Sequence, residues 1–367
     1  MPTKYQADRS DQASPMILDP NVDRDWEKIQ KLRSDNYVTK VDAIDSQVSD
    51  LIKMTHPQTK LSQEEIEQRI EEFFEGKQRD RYGNWVFYPW KNTLVHLLPE
   101  REFIQVRTSR NKYKFTEEEQ ALMATKKIGV VGLSVGQSVA VCLAMERSFG
   151  ELRIADFDTL ELSNMNRIRT SVTNLGLRKT EIVVREISEI DPYLKIKVYS
   201  DGLTKENMEA FFNDGGGLDL LIEECDSLPM KILSRLKAKS LGIPVLMDTS
   251  DRGMVDIERF DLDPRRPIFH GFLSGFGEES ELIDRLEENR GQLLMAILNF
   301  EKLSERARYS IQEIGKSITT WPQLASSVVM GGAMCAYFAK RILCGQISGS
   351  GRVYVDLDEF FLIDHES

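Results

Sequence analysis

Apolar and polar positions follow two rhythms along this chain, and the rhythm changes near residue 106. Upstream, Ser62 with Glu65 makes a capping-box pair, and Ile66, Ile70, Phe73 and Phe74 then fall on one helical face with charges elsewhere. Gly83-Asn-Trp-Val-Phe-Tyr-Pro-Trp and Leu94-Val-His-Leu-Leu predict short strands about a turn. The aromatics Trp85, Phe87, Tyr88 and Trp90 predict a small core or a dimer surface in preference to a ligand groove. Downstream, short unbroken apolar runs alternate with helical patterns. Strands are expected at Ile128–Val131, Leu152–Ala155, Ile196–Tyr199, Leu218–Ile222 and Pro244–Asp248. Helices are expected at Gln137–Arg147, Lys179–Ile190, Lys205–Phe212 and Met230–Leu241.

That alternation predicts an α/β fold: a doubly wound, mostly parallel, Rossmann-like sheet over residues 106–367, preceded by an N-terminal α+β accessory domain over 1–105. After Asp248 the pattern changes to an antiparallel strand at Gly253–Leu262, a charged helical stretch at Glu278–Ile314, an apolar helix at Ser326–Leu343 and a closing strand at Val353–Asp356. The apolar helix carries Lys340, Arg341 and the Gly331-Gly332 pair, so it is expected in a protein core and not in a membrane. Gly215-Gly-Gly217 predicts a loop, with no helix behind it to make a phosphate cradle.

Charge narrows the function classes. A formal net charge of −11 over 367 residues argues against a general nucleic-acid binder, which needs a basic face. No signal-peptide pattern opens the sequence, so a cytoplasmic location is expected. Cys142, Cys225, Cys335 and Cys344 are scattered without a Cys-x-x-Cys pair, and no zinc is expected.

The chemistry concentrates at the predicted strand ends. Gly132-Leu-Ser-Val-Gly136 links the first strand to a helix, where backbone amides and the helix dipole favour an anion. Ser134 stands where a dinucleotide fingerprint has its middle glycine. Asp156 lies 20 residues beyond Gly136, the separation at which an acid reaches ribose hydroxyls. Asn164, Asn166 and Arg167 follow the second strand, and Arg167 offers a planar fork for phosphate oxygens. Lys179 adds a compact cation at a helix start. Asp226, after an apolar strand, is placed to hold Mg²⁺ that bridges phosphates. Singly, Lys179 and Arg167 have the alternative reading of surface cations, and Asp226 that of a helix cap. Cys225 is read as structural, because Glu223, Glu224 and Asp226 would raise its thiol pKa.

The block Asp156-Phe-Asp-Thr…Ser163-Asn-x-Asn-Arg167, then Gly176-x-x-Lys179, then Asp226, closely resembles the ThiF/MoeB adenylyltransferases and the adenylation domain of ubiquitin-activating enzymes. Ser109-Arg-Asn-Lys and Asp251-Arg-Gly-Met-Val-Asp-Ile-Glu-Arg-Phe-Asp carry the same likeness. The resemblance implies an enzyme in which a substrate carboxylate attacks the α-phosphate of ATP, giving an acyl-adenylate and pyrophosphate. It implies that Gly132 and Gly136 shape the phosphate turn, and that Asp156, with Asp158 beside it, serves the ribose. Ser163, Asn164, Asn166, Arg167 and Ser227 would contact nucleotide, Lys179 would offset charge at the α-phosphoryl group, and Asp226 would hold Mg²⁺. It further implies a homodimer in which Arg110 reaches the neighbouring subunit's site, and a carboxylate substrate such as the C-terminus of a small carrier protein or peptide. Ser134 and Ser227 depart from the family's glycine and asparagine, and the family's paired cysteine motifs are missing. Two other readings remain at this point. An NAD(P)-dependent oxidoreductase would use Gly132, Gly136 and Asp156 but leave Asn164, Arg167, Lys179 and Asp226 idle, and a non-catalytic scaffold subunit would use none of them.

Overall fold

The computed structural model of the chain describes residues 13–360. They form two compact units: the described residues up to Glu117 with Val184–Leu194, and Glu118–Val183 with the chain from Lys195 onward.

The first unit contains a four-stranded sheet of β1 (Met16–Leu18), β2 (Thr39–Asp42), β3 (Asn84–Tyr88) and β4 (Thr93–Leu97), in the order β1-β3-β4-β2. Its helices are α1 (Asp23–Ser34), α2 (Ile44–Thr55), α3 (Gln63–Phe74) and α4 (Glu100–Thr108). β3 and β4 form the expected hairpin, turned through Asn92 at a left-handed φ of 47°, a conformation that asparagine tolerates. The capping box is complete: Ser62 Oγ accepts the Glu65 N–H, and the Glu65 carboxylate accepts the Ser62 N–H. α3 then buries Ile66, Ile70 and Phe74 in one cluster with Val48 and Ile52 of α2. Trp85, Phe87 and Tyr88 are buried, and Trp85 stacks on His96 with ring centroids 4.1 Å apart. Those three rings are core, whereas Trp90 is half-buried and donates its indole N–H to Glu189 Oε1 at 2.6 Å.

The second unit runs α5 (Glu117–Met123), β5 (Lys127–Val131), α6 (Gly136–Glu146), β6 (Glu151–Ala155), the start of α7 (Lys179–Ile190, whose residues from Val184 on belong to the first unit), β7 (Lys195–Tyr199), α8 (Met208–Asn213), β8 (Leu220–Glu223), α9 (Leu228–Leu241), β9 (Val245–Asp248) and β10 (Met254–Glu258). It continues with α10 (Leu286–Leu298), α11 (Glu305–Glu313), α12 (Ala325–Leu343) and β11 (Gly351–Tyr354). Seven strands make one sheet in the order β11-β10-β9-β8-β5-β6-β7. Strands β5 to β9 are parallel, and β10 and β11 extend the sheet antiparallel. The α/β, mostly parallel expectation holds.

Glu278–Ile314 differs from its helical prediction. Asn299, with φ of 54°, ends α10 in a left-handed C-cap, and Ser304 restarts the chain by capping α11 through its side chain. Helical periodicity survives that break, which is why the pattern alone does not reveal it. α12 packs on α6 and β9 because it carries no side chain at two points. A Cβ on Gly331 would sit 1.9 Å from Asp248 Oδ2, and one on Gly332 would sit 2.4 Å from Ser138 Oγ. Among the described residues, no helix is long and apolar enough to cross a membrane. The Gly215–Gly217 loop turns carbonyls, not amides, toward cations: Gly216 O accepts from Arg153 Nη2 at 2.7 Å, and Gly215 O from Lys127 Nζ. That polarity suits no anion.

Candidate functional site

Strands β6 and β7 lie to one side of β5, and β8 and β9 to the other. The connection reverses between β5 and β8, and at such a switch point a doubly wound sheet opens a crevice beyond its carboxyl ends. A cavity of about 100 Å³ sits there. Its lining includes Gly132 and Ser134 after β5, Asp156 and Asp158 after β6, Lys179 at the start of α7, and Glu224, Asp226 and Ser227 after β8.

The turn after β5 demands glycine. Gly132 has φ of +86°, its N–H donates to Ala155 O at 2.9 Å, and a Cβ would lie 2.6 Å from Glu224 O. Gly136 serves packing: its Cβ would lie 2.7 Å from Val130 Cγ1, and it is not in the cavity lining. Asp156 ties the turn to β6. Its Oδ2 accepts the Leu133 N–H at 2.6 Å and its Oδ1 the Asp158 N–H at 2.8 Å. Burial raises the Asp156 pKa, and these two hydrogen bonds and the Lys179 charge oppose the rise. A carboxylate has about four acceptor positions, so these bonds leave room for a ribose hydroxyl.

The cations are held on different leashes. Lys179 is buried at the start of α7 and donates to Asp158 Oδ2 at 2.7 Å. Arg167 is half-buried, and its Nε and Nη2 both donate to Ser134 Oγ, at 3.2 and 2.9 Å. Burial lowers the Arg167 pKa, while the charge of Asp226 works the other way. Arg167 does not itself line the cavity, but Ser134 does, so the serine that departs from the family pattern is the side chain that docks the guanidinium. If the cavity holds a nucleoside triphosphate, as expected from the sequence, Ser134→Ala should weaken its binding by about ten-fold, the usual worth of a hydrogen bond to a charged group. Titration calorimetry with Mg·ATP measures this. An unchanged affinity would mean that Arg167 is oriented without Ser134.

Ser163, Asn164 and Asn166 lie outside the cavity lining and build the turn that carries Arg167. Asn164 Oδ1 accepts the Glu161 N–H at 3.0 Å, Ser163 Oγ bonds Glu161 at 3.3 Å, and Asn166 Nδ2 donates to Gln323 O at 2.6 Å. Asn166 Oδ1 also accepts from Arg167 Nη1 at 3.1 Å. Arg110 is exposed on the single turn Ser109–Asn111 of the first unit.

The profile of the ThiF family matches residues 108–343. The chain belongs to the ThiF family. An uncharacterized protein of Mycobacterium tuberculosis is 43% identical over 273 residues, which is 74% of this chain and 38% of that one. Ubiquitin-like modifier-activating enzyme 5 of Oryza sativa subsp. japonica is 30% identical over 125 residues, 31% of this chain and 30% of the enzyme. The tRNA threonylcarbamoyladenosine dehydratase of Escherichia coli K12 is 28% identical over 144 residues, 39% of this chain and 53% of the dehydratase. The chain thus spans between about a third and a half of the length of these relatives.

Two features of this ThiF-family cavity are not legible in the sequence. The first is an ion network behind it. Arg235 of α9 donates Nε to Glu258 at 2.8 Å and Nη1 to Glu223, and Lys231 pairs with Glu223 at 2.9 Å. Burial opposes the charge on Glu223, yet the Lys231 and Arg235 cations hold its carboxyl down at about 2. Glu223 Oε1 accepts the Cys225 N–H at 2.9 Å, which anchors the loop that presents Asp226. Cys225 behaves as expected of a structural thiol: burial and Glu223 push its pKa well up, and Sγ donates to Ser227 O at 3.7 Å.

The second is the buried pair Glu224 and Asp248. Glu224 Oε1 accepts the Asp248 N–H at 2.9 Å, and burial together with the Asp248 charge raises the Glu224 pKa well above its usual range. Burial likewise raises Asp248, to about 6. A raised acid binds its extra proton in the folded state, so its contribution is intact at low pH and is lost as pH climbs from about 4 through 6. Asp248→Asn, which cannot ionise, should be more stable than the parent by up to about 3 kcal/mol at pH 8 and indistinguishable near pH 4. Denaturant melts at the two pH values measure this. A variant less stable at pH 8 would contradict it.

Asp226 is exposed and has no hydrogen-bond or ion-pair partner among the described residues. Among those residues no group of three or more His, Cys, Asp or Glu side chains could hold a metal unaided. Mg²⁺ in phosphate sites takes one or two carboxylates and completes its shell with phosphate oxygens and water, so a single unpaired Asp226 at the rim fits that role.

Proposed function

We propose that this ThiF-family chain binds ATP in the switch-point cavity and activates a carboxylate as an acyl-adenylate with release of pyrophosphate. The observation that carries this reading is that Lys179, Asp226 and, through Ser134, Arg167 meet at one cavity beside the Gly132 turn. An enzyme that only bound a dinucleotide would have no use for two cations and an unpaired acid at that rim. The relatives support activation chemistry, since one is named a ubiquitin-like modifier-activating enzyme. The substrate class favoured is accordingly the C-terminal carboxylate of a small carrier protein or peptide.

In this reading the Gly132 turn and the start of α6 receive phosphate oxygens, and Asp156 accepts a ribose hydroxyl. Phe157, an exposed aromatic on the cavity lining, offers a ring face to the base. Arg167 grips the phosphates. Asp158 neutralises Lys179 until nucleotide arrives, and Lys179 then offsets charge that builds on the α-phosphoryl group. An oxygen of the substrate carboxylate bonds to the α-phosphorus while the bond to the bridging oxygen breaks, and that electron pair leaves with pyrophosphate. No general base is required, because a carboxylate is ionised at neutral pH. Asp226 would hold Mg²⁺, which would supply charge screening to the phosphates. Catalysis is then positioning and electrostatics.

The direct test is ATP–pyrophosphate exchange over a panel of carrier proteins and peptides. Exchange should appear with one carboxylate class and vanish when the same peptide carries a C-terminal amide. Exchange that persists with the amide would contradict carboxylate activation. A homodimer in which Arg110 completes the partner's site belongs to the same reading. Mixing Arg110→Ala with Asp226→Ala subunits should then restore part of the exchange that each lacks. No recovery despite demonstrated subunit exchange would remove Arg110 from the site.

A further inference from the structure

A dinucleotide fingerprint, Gly-x-Gly-x-x-Gly, asks for glycine at three positions of the first strand–helix turn. This chain keeps the first, Gly132, and fills the other two with Ser134 and Gln137. Ser134 docks the Arg167 guanidinium. Gln137, the second residue of α6, is 3% exposed, and its carboxamide makes a two-way contact with one residue of the arginine loop. Gln137 Oε1 accepts the Arg169 N–H at 3.1 Å, and Gln137 Nε2 donates to Arg169 O at 2.8 Å. Both departures from the fingerprint thus spend polar side chains on the segment that carries Arg167.

A carboxamide that pairs with both the N–H and the C=O of one residue acts as a strand partner does, and fixes that residue's backbone in place and orientation. The segment just before it is fixed as well. The Arg167 and Ile168 N–H groups both donate to Asn164 O, at 3.1 and 2.9 Å, and the Ile168 side chain is buried with Leu160 and Ile182. The backbone through Arg167 is therefore held from Asn164 on one side and from Gln137 on the other, while Ser134 holds the guanidinium itself. A planar fork meets two phosphate oxygens only over a narrow range of orientations, so a long side chain needs a backbone fixed in this way. Glutamine supplies the donor and the acceptor without a charge that would compete with Arg167 for phosphate.

We propose that Gln137 is a positioning residue of the nucleotide site, which acts through the Arg169 backbone to aim Arg167 at the phosphates. The phosphate turn and the arginine loop then work as one element. Gln137 is outside the cavity lining, so its influence on nucleotide runs through Arg167. This inference rests on the proposed ATP site and adds to it a residue that does not touch the substrate.

Gln137→Met keeps the length of the side chain and removes both hydrogen bonds. Titration calorimetry of the full chain should show Mg·ATP binding about ten-fold more weakly than to the parent, the scale of two neutral hydrogen bonds, with affinity for adenosine unchanged. In an Arg167→Ala background the same substitution should change Mg·ATP affinity by less than about two-fold, because the group it aims is gone. Gln137→Glu keeps the acceptor for the Arg169 N–H but turns a second oxygen toward Arg169 O. It should weaken Mg·ATP binding at pH 8 at least as much, and it decides the matter if the methionine variant does not fold. Parental Mg·ATP affinity in either folded variant would overturn the proposal. So would an equal loss for adenosine, or the full loss in the Arg167→Ala background, since each makes Gln137 a general support of the fold. A parent chain that binds no Mg·ATP would refute the ATP site itself, and this role with it.

Discussion

Asp226→Ala is expected to lower ATP–pyrophosphate exchange by at least about 100-fold while the melting temperature stays within a degree or two of the parent, roughly the change expected of a surface substitution. The side chain is exposed and has no partner among the described residues, so its removal costs the fold little. Its charge supports that of Arg167. Asp226→Asn separates charge from shape. If the carboxylate works as a charge that holds Mg²⁺ and faces Arg167, the asparagine variant should be as inactive as the alanine variant. Exchange at parental levels in either would remove Asp226 from the reaction and leave the loop after β8 as a structural cap.

Gly132→Ala should lower stability and nucleotide binding together. Two penalties combine: φ of +86° is strained for any residue with a Cβ, and that Cβ would lie 2.6 Å from Glu224 O and 2.8 Å from Cys225 Cα. Backbone strain and overpacking of this kind together cost about 3 kcal/mol. The backbone that must yield is the segment leading to Asp226, so binding of Mg·ATP should be lost along with stability. Gly215→Ala is the matched control. Gly215 has φ of +70° with open space around it, so it should show the strain alone, about 1 kcal/mol, with nucleotide binding retained. Equal nucleotide affinity in the parent and Gly132→Ala would mean that the turn does not face phosphate.

How much of this was legible in the sequence depends on whether the signal is local. β5, β6 and β9 are buried on both faces, so each appears as an apolar run, and α3 announces itself through the Ser62–Glu65 pair. β2 has no such signal, because all four of its residues are exposed and lack alternation. The strand-end acids and cations were also legible, since strand ends are where a doubly wound sheet gathers chemistry. Partners distant in the chain were not. Nothing local links Ser134 to Arg167, 33 positions on, or tells that Asn164 and Asn166 spend their amides on the turn. Glu223, Arg235 and Glu258 have the composition of a solvated surface, yet all three are fully buried and bond one another. Asp256 and Arg352 likewise meet only because β11 pairs with β10 across 96 positions of chain.

Calorimetric titration of the full chain with Mg·ATP and, separately, with NAD tests most directly whether the switch-point cavity is a triphosphate site. One equivalent of Mg·ATP should bind, Arg167→Ala should weaken it by about 100-fold, and NAD should give no saturable heat. Saturable NAD binding with none by Mg·ATP, or Mg·ATP binding indifferent to Arg167, would contradict the assignment.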